Sequence, residues 1–175
     1  MAIYCSTPIP DPLNDLCASE PGRVIAVAAV RTDANVRTDQ TTLATWNADI
    51  AAGRVKIFKN VRGGKDKSSP VSVDGFGRSQ TRTVSRDFTA QYFHRDVVGN
   101  EDVYNEINYN DDHSCWLYTL GKKIFDPGDA TADWDGDFVI DQALNTEIMF
   151  DVTVTWSSRL IPVAYDATSL TSIFE

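Results

Sequence analysis

The segment EIMFDVTVTWS (147–157) constrains the fold more than any other part of the chain. Ile148, Phe150, Val152, Val154 and Trp156 alternate with Met149, Asp151, Thr153, Thr155 and Ser157. Successive side chains of a strand point to opposite faces, so five such alternations call for a strand with one buried face. A strand of this kind needs partners, and the rest of the chain offers them. RVIAVAAV (23–30) is a β-branched, Ala-rich run of buried-strand length. RVKIFKNV (54–61) alternates, TRTVSRDFTAQYF (81–93) has period-two character anchored on Val84, Phe88 and Tyr92, and SCWLYTL (114–120) reads as a further strand.

Two short helices interrupt these strands. DQTTLATWNADIAAG (39–53) carries Thr41 or Thr42 as cap, Leu43, Trp46 and Ile50 on one face, and Gly53 at the terminating position. EDVYNEIN (101–108) follows Asn100 as cap, with acidic residues in its first turn and Val103, Tyr104 and Ile107 as apolar face. From Arg62 to Gln80 apolar residues are few, and a long exposed hairpin loop is expected. The tail IPVAYDATSLTSIFE carries no clear pattern. The expected fold is mainly β, a β-sandwich or barrel with one or two short flanking helices, a long hairpin loop and an extended N-terminal arm. Residues 1–22, rich in Pro, Asp and Ser, form the arm, and 23–175 form a single β-rich domain.

Charge is distributed unevenly. The net charge is −9, yet residues 23–95 hold 13 Lys and Arg against 6 acidic residues, whereas 96–175 hold 3 against 16. A net acidic chain is a poor neutraliser of phosphates. A basic half and an acidic half either mix in the fold or guide copies head to tail. No apolar run approaches the ~20 residues that span a bilayer. The opening MAIYCSTPIPDPLND has neither the basic region nor the apolar core of a signal peptide, which argues against Sec-type export unless a leader has been cleaved. Cys5, Cys17 and Cys115 are an odd set without metal-ligand spacing, and free thiols in a reducing compartment are expected.

Candidate chemistry is sparse. Asp126, Asp129, Asp133, Asp135, Asp137 and Asp141 concentrate carboxylates, and Asp133, Asp135 and Asp137 match the first three ligands of a calcium loop. The match then fails, because Phe138 stands where the loop needs Gly and Leu144 where it needs Glu. The favoured reading is a hairpin turn at Asp135-Gly136, with Trp134 exposed in it. His113 and Cys115 lack an orienting third group, and His94 stands alone, so neither supports an enzyme. NVRGGKDKSSP lacks the spacing of a phosphate-binding loop. Arg62, Lys65, Lys67, Arg78, Arg82 and Arg86 form a basic cluster whose sharper reading is an interface with an acidic neighbour, such as the 126–141 segment. Trp46, Trp116 and Trp156 fall on apolar faces, which leaves little for a glycan platform.

In element order the chain resembles bacteriophage virion proteins of the tail-tube type. The resemblance rests on TTLATWNADIAAGRVKIFKNVRGG, GFGRSQTRTVSRDFTAQYF, NEDVYNEIN and NTEIMFDVTVTWS, which span much of 41–157. It implies a non-enzymatic virion structural protein, made in the host cytoplasm, whose copies stack as hexameric rings. The lumen would be acidic, so that DNA passes without specific binding, and other virion proteins would be partners. No cofactor is implied. Arg62–Gln80 would be the inter-ring loop, with Arg62, Lys65, Lys67 and Arg78 at the assembly interface. The alternatives are a head-decoration or head–tail connector protein and, from another class, a monomeric calcium- or glycan-binding β module.

Overall fold

The computed structural model describes residues 22–74, 81–95, 97–140 and 148–175. In chain order the strands are β1 (Val24–Arg31), β2 (Val55–Phe58), β3 (Val61–Lys65), β4 (Ser69–Asp74), β5 (Thr81–His94), β6 (His113–Thr119), β7 (Lys123–Asp126), β8 (Asp133–Val139), β9 (Met149–Ser158) and β10 (Val163–Asp166). Helix α1 (Leu43–Ala51) lies between β1 and β2, α2 (Glu101–Asn108) between β5 and β6, and a last turn, α3 (Thr171–Phe174), ends the chain. All ten strands join one antiparallel sheet in the order β10-β7-β6-β1-β3-β5-β9-β8, with β2 also on β1 and β4 also on β5. The fold is mainly β, as expected, and the sheet is open rather than closed into a barrel.

The alternation that opened the sequence reading places β9 well. Phe150, Val152, Val154 and Trp156 are all buried, while Asp151, Thr153, Thr155 and Ser157 face outward. Strand β1 differs because both of its faces are covered. Val27 and Ala29 join a cluster with Phe58, Tyr92, Trp134 and the inward residues of β9. Ala26, Ala28 and Val30 join the opposite cluster, with Trp46 of α1, Trp116, Tyr118, Leu170 and Phe174. The first cluster joins strands far apart in the sheet order, with the Phe58 and Trp134 rings 6.2 Å apart. The sheet therefore curls over this core, and the Ala132 N–H just before β8 donates to the His113 carbonyl at 2.9 Å.

Glycine permits the corner of this curl. Gly63 faces Val24 of β1 on one side and Tyr92 of β5 on the other. A Cβ there would lie 2.7 Å from the Tyr92 Cα, so only a residue without a side chain lets the two backbones approach. α1 ends at Gly53, whose φ of 72° is the left-handed conformation expected at that position.

Two sequence expectations need correction. Arg62–Gln80 is not an exposed loop in its described part, because β3 and β4 both pair along one edge of β5. Small and polar residues suit β4 on an exposed edge, and the glycines of β3 suit its close approach to β5, so sparse apolar content did not exclude either strand. Asp135-Gly136 is not a turn but the middle of β8, in register with Thr153 and Val152. Trp134, expected in the open, is 4% exposed because it points into the core between charged neighbours that point out.

Candidate functional site

The DWDGDF strand lies on the edge of the sheet, paired on one side by β9. Its pleat turns Asp133, Asp135 and Asp137 outward and Trp134 and Gly136 inward. A rise of about 3.3 Å per residue sets successive carboxylates about 6.6 Å apart, whereas one calcium holds its ligands about 2.4 Å away. Three carboxylates in such a row do not converge on one ion. Among the described residues, no group of three His, Cys, Asp or Glu side chains stands close enough to hold a metal. Asp151 faces Asp137 across the β8–β9 ladder and so extends the acidic face. It accepts a 2.9 Å hydrogen bond from the Gln91 amide.

Gly136 is explained by α2. A Cβ at this position would lie 2.8 Å from Cδ1 of Tyr104, so the glycine makes room for the helix. One turn further along the helix, Asn108 grips the free edge of β8. Its Nδ2 donates to the Gly136 carbonyl at 2.8 Å, and its Oδ1 accepts from the Gly136 N–H at 3.0 Å. A side-chain amide thus stands in for a neighbouring strand at the middle of an exposed edge. Nothing about a single Asn at a helix end signals this role. The Gly inside an alternating run was the available clue, since strand glycines often mark close approach.

The basic quartet does not form one patch. Arg62 pairs with Phe93 on the outward face of the sheet. Lys65 pairs with Ala90 on the opposite, core-side face, where its Nζ sits 4.9 Å from the centre of the Phe88 ring. Partial burial lowers the Lys65 pKa below the ordinary lysine value. Lys65 also lines an apolar cleft of about 300 Å³ with Val24, Leu117, Lys123 and Phe125. Lys67 is exposed between β3 and β4, and Arg78 lies outside the described residues.

Beyond Arg86 the sheet narrows. β9 pairs with β5 from Arg86 to His94, whereas β4 pairs with β5 from Thr81 to Asp87. Residues 71–74 and 81–85 therefore form a two-stranded ribbon extending past the body of the sheet. Ser72, Thr83 and Val84 in it are exposed.

The remaining polar residues serve the fold. Cys115 is buried, and burial alone pushes its thiol pKa far above the ordinary range, the reverse of an activated nucleophile. Nδ1 of His94 lies 3.0 Å from the Tyr104 hydroxyl in the aromatic core. His113 meets Asp112 at 2.7 Å. Asp49, fully buried, accepts from the Val36 N–H at 2.9 Å and is ion-paired with Arg54 at 2.6 Å, which ties α1 to its flanking segments.

No protein-family model, curated protein or solved structure matches this chain.

Proposed function

We infer that this chain is a non-enzymatic structural subunit that assembles with copies of itself, most specifically a virion protein of the tail-tube type stacking in rings around a DNA-conducting lumen. The observation that carries this reading is the ribbon of β4 and β5. A two-stranded hairpin alone is at best marginally stable in water, and this one exposes Ser72, Thr83 and Val84. Such an extension gains its order by lying against another surface, and a second copy of the chain supplies one.

Charge supports the same reading. Asp133, Asp135, Asp137 and Asp151 share one sheet face, and none of them is ion-paired among the described residues. A surface of this sign repels a nucleic-acid backbone, as a channel that conducts DNA without holding it requires.

Light scattering with negative-stain imaging tests the proposal. Rings or tubes with a central channel are expected, and a stable 19.4 kDa monomer at high concentration would refute assembly. Replacing residues 70–86 by Asn-Gly joins Ser69 to Asp87, which already face each other in register. This variant should keep its circular dichroism and lose its rings; rings that persist would remove the ribbon from the interface.

A further inference from the structure

A second pair of surfaces lies at the two ends of β9. At its start, where Val139 pairs with Met149, the end of the β8–β9 pair exposes apolar side chains on both faces. Phe138 is 45% exposed, Val139 52%, Ile140 66% and Ile148 49%. Alternating residues of a strand point opposite ways, so Phe138 and Val139 cannot both be covered by one flat surface. A feature that is apolar on both sides is a wedge, and it is covered by insertion into a groove.

The far end of β9 supplies a groove. There the chain crosses from one margin of the curled sheet to the other, between Ser158 and β10. A cleft of about 530 Å³ opens between this crossing and the β7–β8 connection. Leu160, Ile161 and Val163 line it, and all three are at least half exposed. Arg159 also lines it and makes no ion pair among the described residues. The groove's other arginine, Arg37, is committed to the Gly128 carbonyl at 2.9 Å and to the Asp129 carboxylate. The groove's carboxylates are engaged as well, Asp126 by the Gly128 N–H and Asp129 by Arg37, which leaves Arg159 to meet Asp137, exposed beside Phe138 on the wedge.

We propose that the Phe138–Ile140 end of β8 in one copy seats in the Leu160–Ile161–Val163 groove of a second copy, with Asp137 meeting Arg159 across the contact. Wedge and groove lie at opposite ends of one strand, about 30 Å apart at the usual rise. The same two patches cannot satisfy each other within one copy. A contact between unlike patches is heterologous, so it propagates from copy to copy into a ring or a filament. The proposal rests on the self-assembly reading above and assigns the surfaces that would carry it.

The asymmetry of the contact provides its test. Ile140→Asp spoils the wedge and leaves the groove, and Ile161→Asp does the reverse. Both are placed in the chain whose residues 70–86 are replaced by Asn-Gly, which removes the ribbon contact, and each should then sediment as a monomer, with a circular dichroism spectrum like that of the ribbon-less chain. An equimolar mixture should give a dimer and nothing larger, because one intact wedge and one intact groove remain. Asp137→Arg and Arg159→Asp should each weaken assembly at least tenfold in concentration, and the double variant should recover most of that loss. A parent chain that assembles, with variants that assemble equally well or a mixture that stays monomeric, overturns this contact while leaving self-assembly standing. A parent chain that remains monomeric overturns both.

Discussion

Alanine substitution at three glycines of the sheet should move stability in opposite directions, because their surroundings differ. At Gly136 the new Cβ would sit 2.8 Å from the Tyr104 ring, against about 3.5–4.0 Å for carbons in comfortable contact. Tyr104 has little room to retreat. Its ring centre lies 4.3 Å from that of Phe150 and 5.0 Å from that of Phe58, and its hydroxyl is 3.0 Å from His94. Overpacking of this kind costs about 1–3 kcal/mol. Any shift of α2 also stretches the two Asn108–Gly136 hydrogen bonds, worth about 0.5–1.5 kcal/mol each. Against this, Ala in a strand interior recovers about 0.5–1 kcal/mol of backbone entropy relative to Gly. The net loss is about 2 kcal/mol, a fall in Tm of about 4–8 °C for a chain of this size. Gly64, one residue past the corner, has nothing within 4 Å of a Cβ, so the entropy gain stands alone and Gly64→Ala should raise Tm by about 1–4 °C. Gly63→Ala should be the worst of the three, since the atoms it meets are the Gln91 carbonyl oxygen and the Cβ and Cα of Tyr92, and backbone does not swing aside. Thermal melts read by circular dichroism, with urea titrations for the free energies, give the order directly. Gly136→Ala at or above the parent stability, or Gly64→Ala below Gly136→Ala, would refute the close packing of α2 on β8.

Asp49→Ala removes the acceptor for the Val36 N–H and leaves Arg54, which is 29% exposed, to water, so a loss of about 1–3 kcal/mol is expected from urea unfolding. In a Cys5→Ser, Cys17→Ser background, Cys115 should resist Ellman's reagent in buffer and react fully in denaturant, since it is buried with a raised pKa. Fast reaction of the native protein would contradict that burial. His113 has its pKa lowered, first by burial, with Asp112 opposing the shift. Its folded pKa lies below its unfolded one, so the unfolded chain takes up the proton first. Stability should therefore fall as pH drops through about 6.5 and level off below the folded pKa. His113→Gln should flatten that slope in urea titrations between about pH 5 and 7.5, and an unchanged slope would assign it elsewhere.

Residues whose side chains alternate cleanly were legible in the sequence. Phe88 and Tyr92 of β5 and four positions of β9 are buried as their period requires. Trp46 and Tyr104 likewise sit on the inward faces of α1 and α2. Val84 shows the limit of that reasoning. It sits where the β4–β5 register shifts between Val71–Ser85 and Ser72–Thr83, so a bulge interrupts the period, and it is 37% exposed where β9 no longer pairs with β5. Period fixes which side a residue points to, and topology decides whether anything lies there. The basic quartet was illegible for a related reason. Arg62 and Lys65 are three residues apart, so a strand places them on opposite faces, whereas a loop leaves them free to converge.

DWDGDF combines both lessons. Its alternation of Asp with Trp, Gly and Phe is a strand pattern, but Asp-Gly is also a hairpin dipeptide, and local chemistry alone favours the turn. What decides for the strand lies elsewhere in the chain, in the complementary alternation of β9 and in Tyr104 and Asn108 of α2. The glycine is needed for a helix to approach rather than for a chain to reverse. Once the stretch is a strand, its carboxylates form a row on one face and its last apolar residues project from the end. The same six residues then present an acidic surface along their length and, in Phe138, the first residue of the proposed wedge. In the contact proposed above, the inward side of this strand holds the domain together while its outward side and end meet another copy.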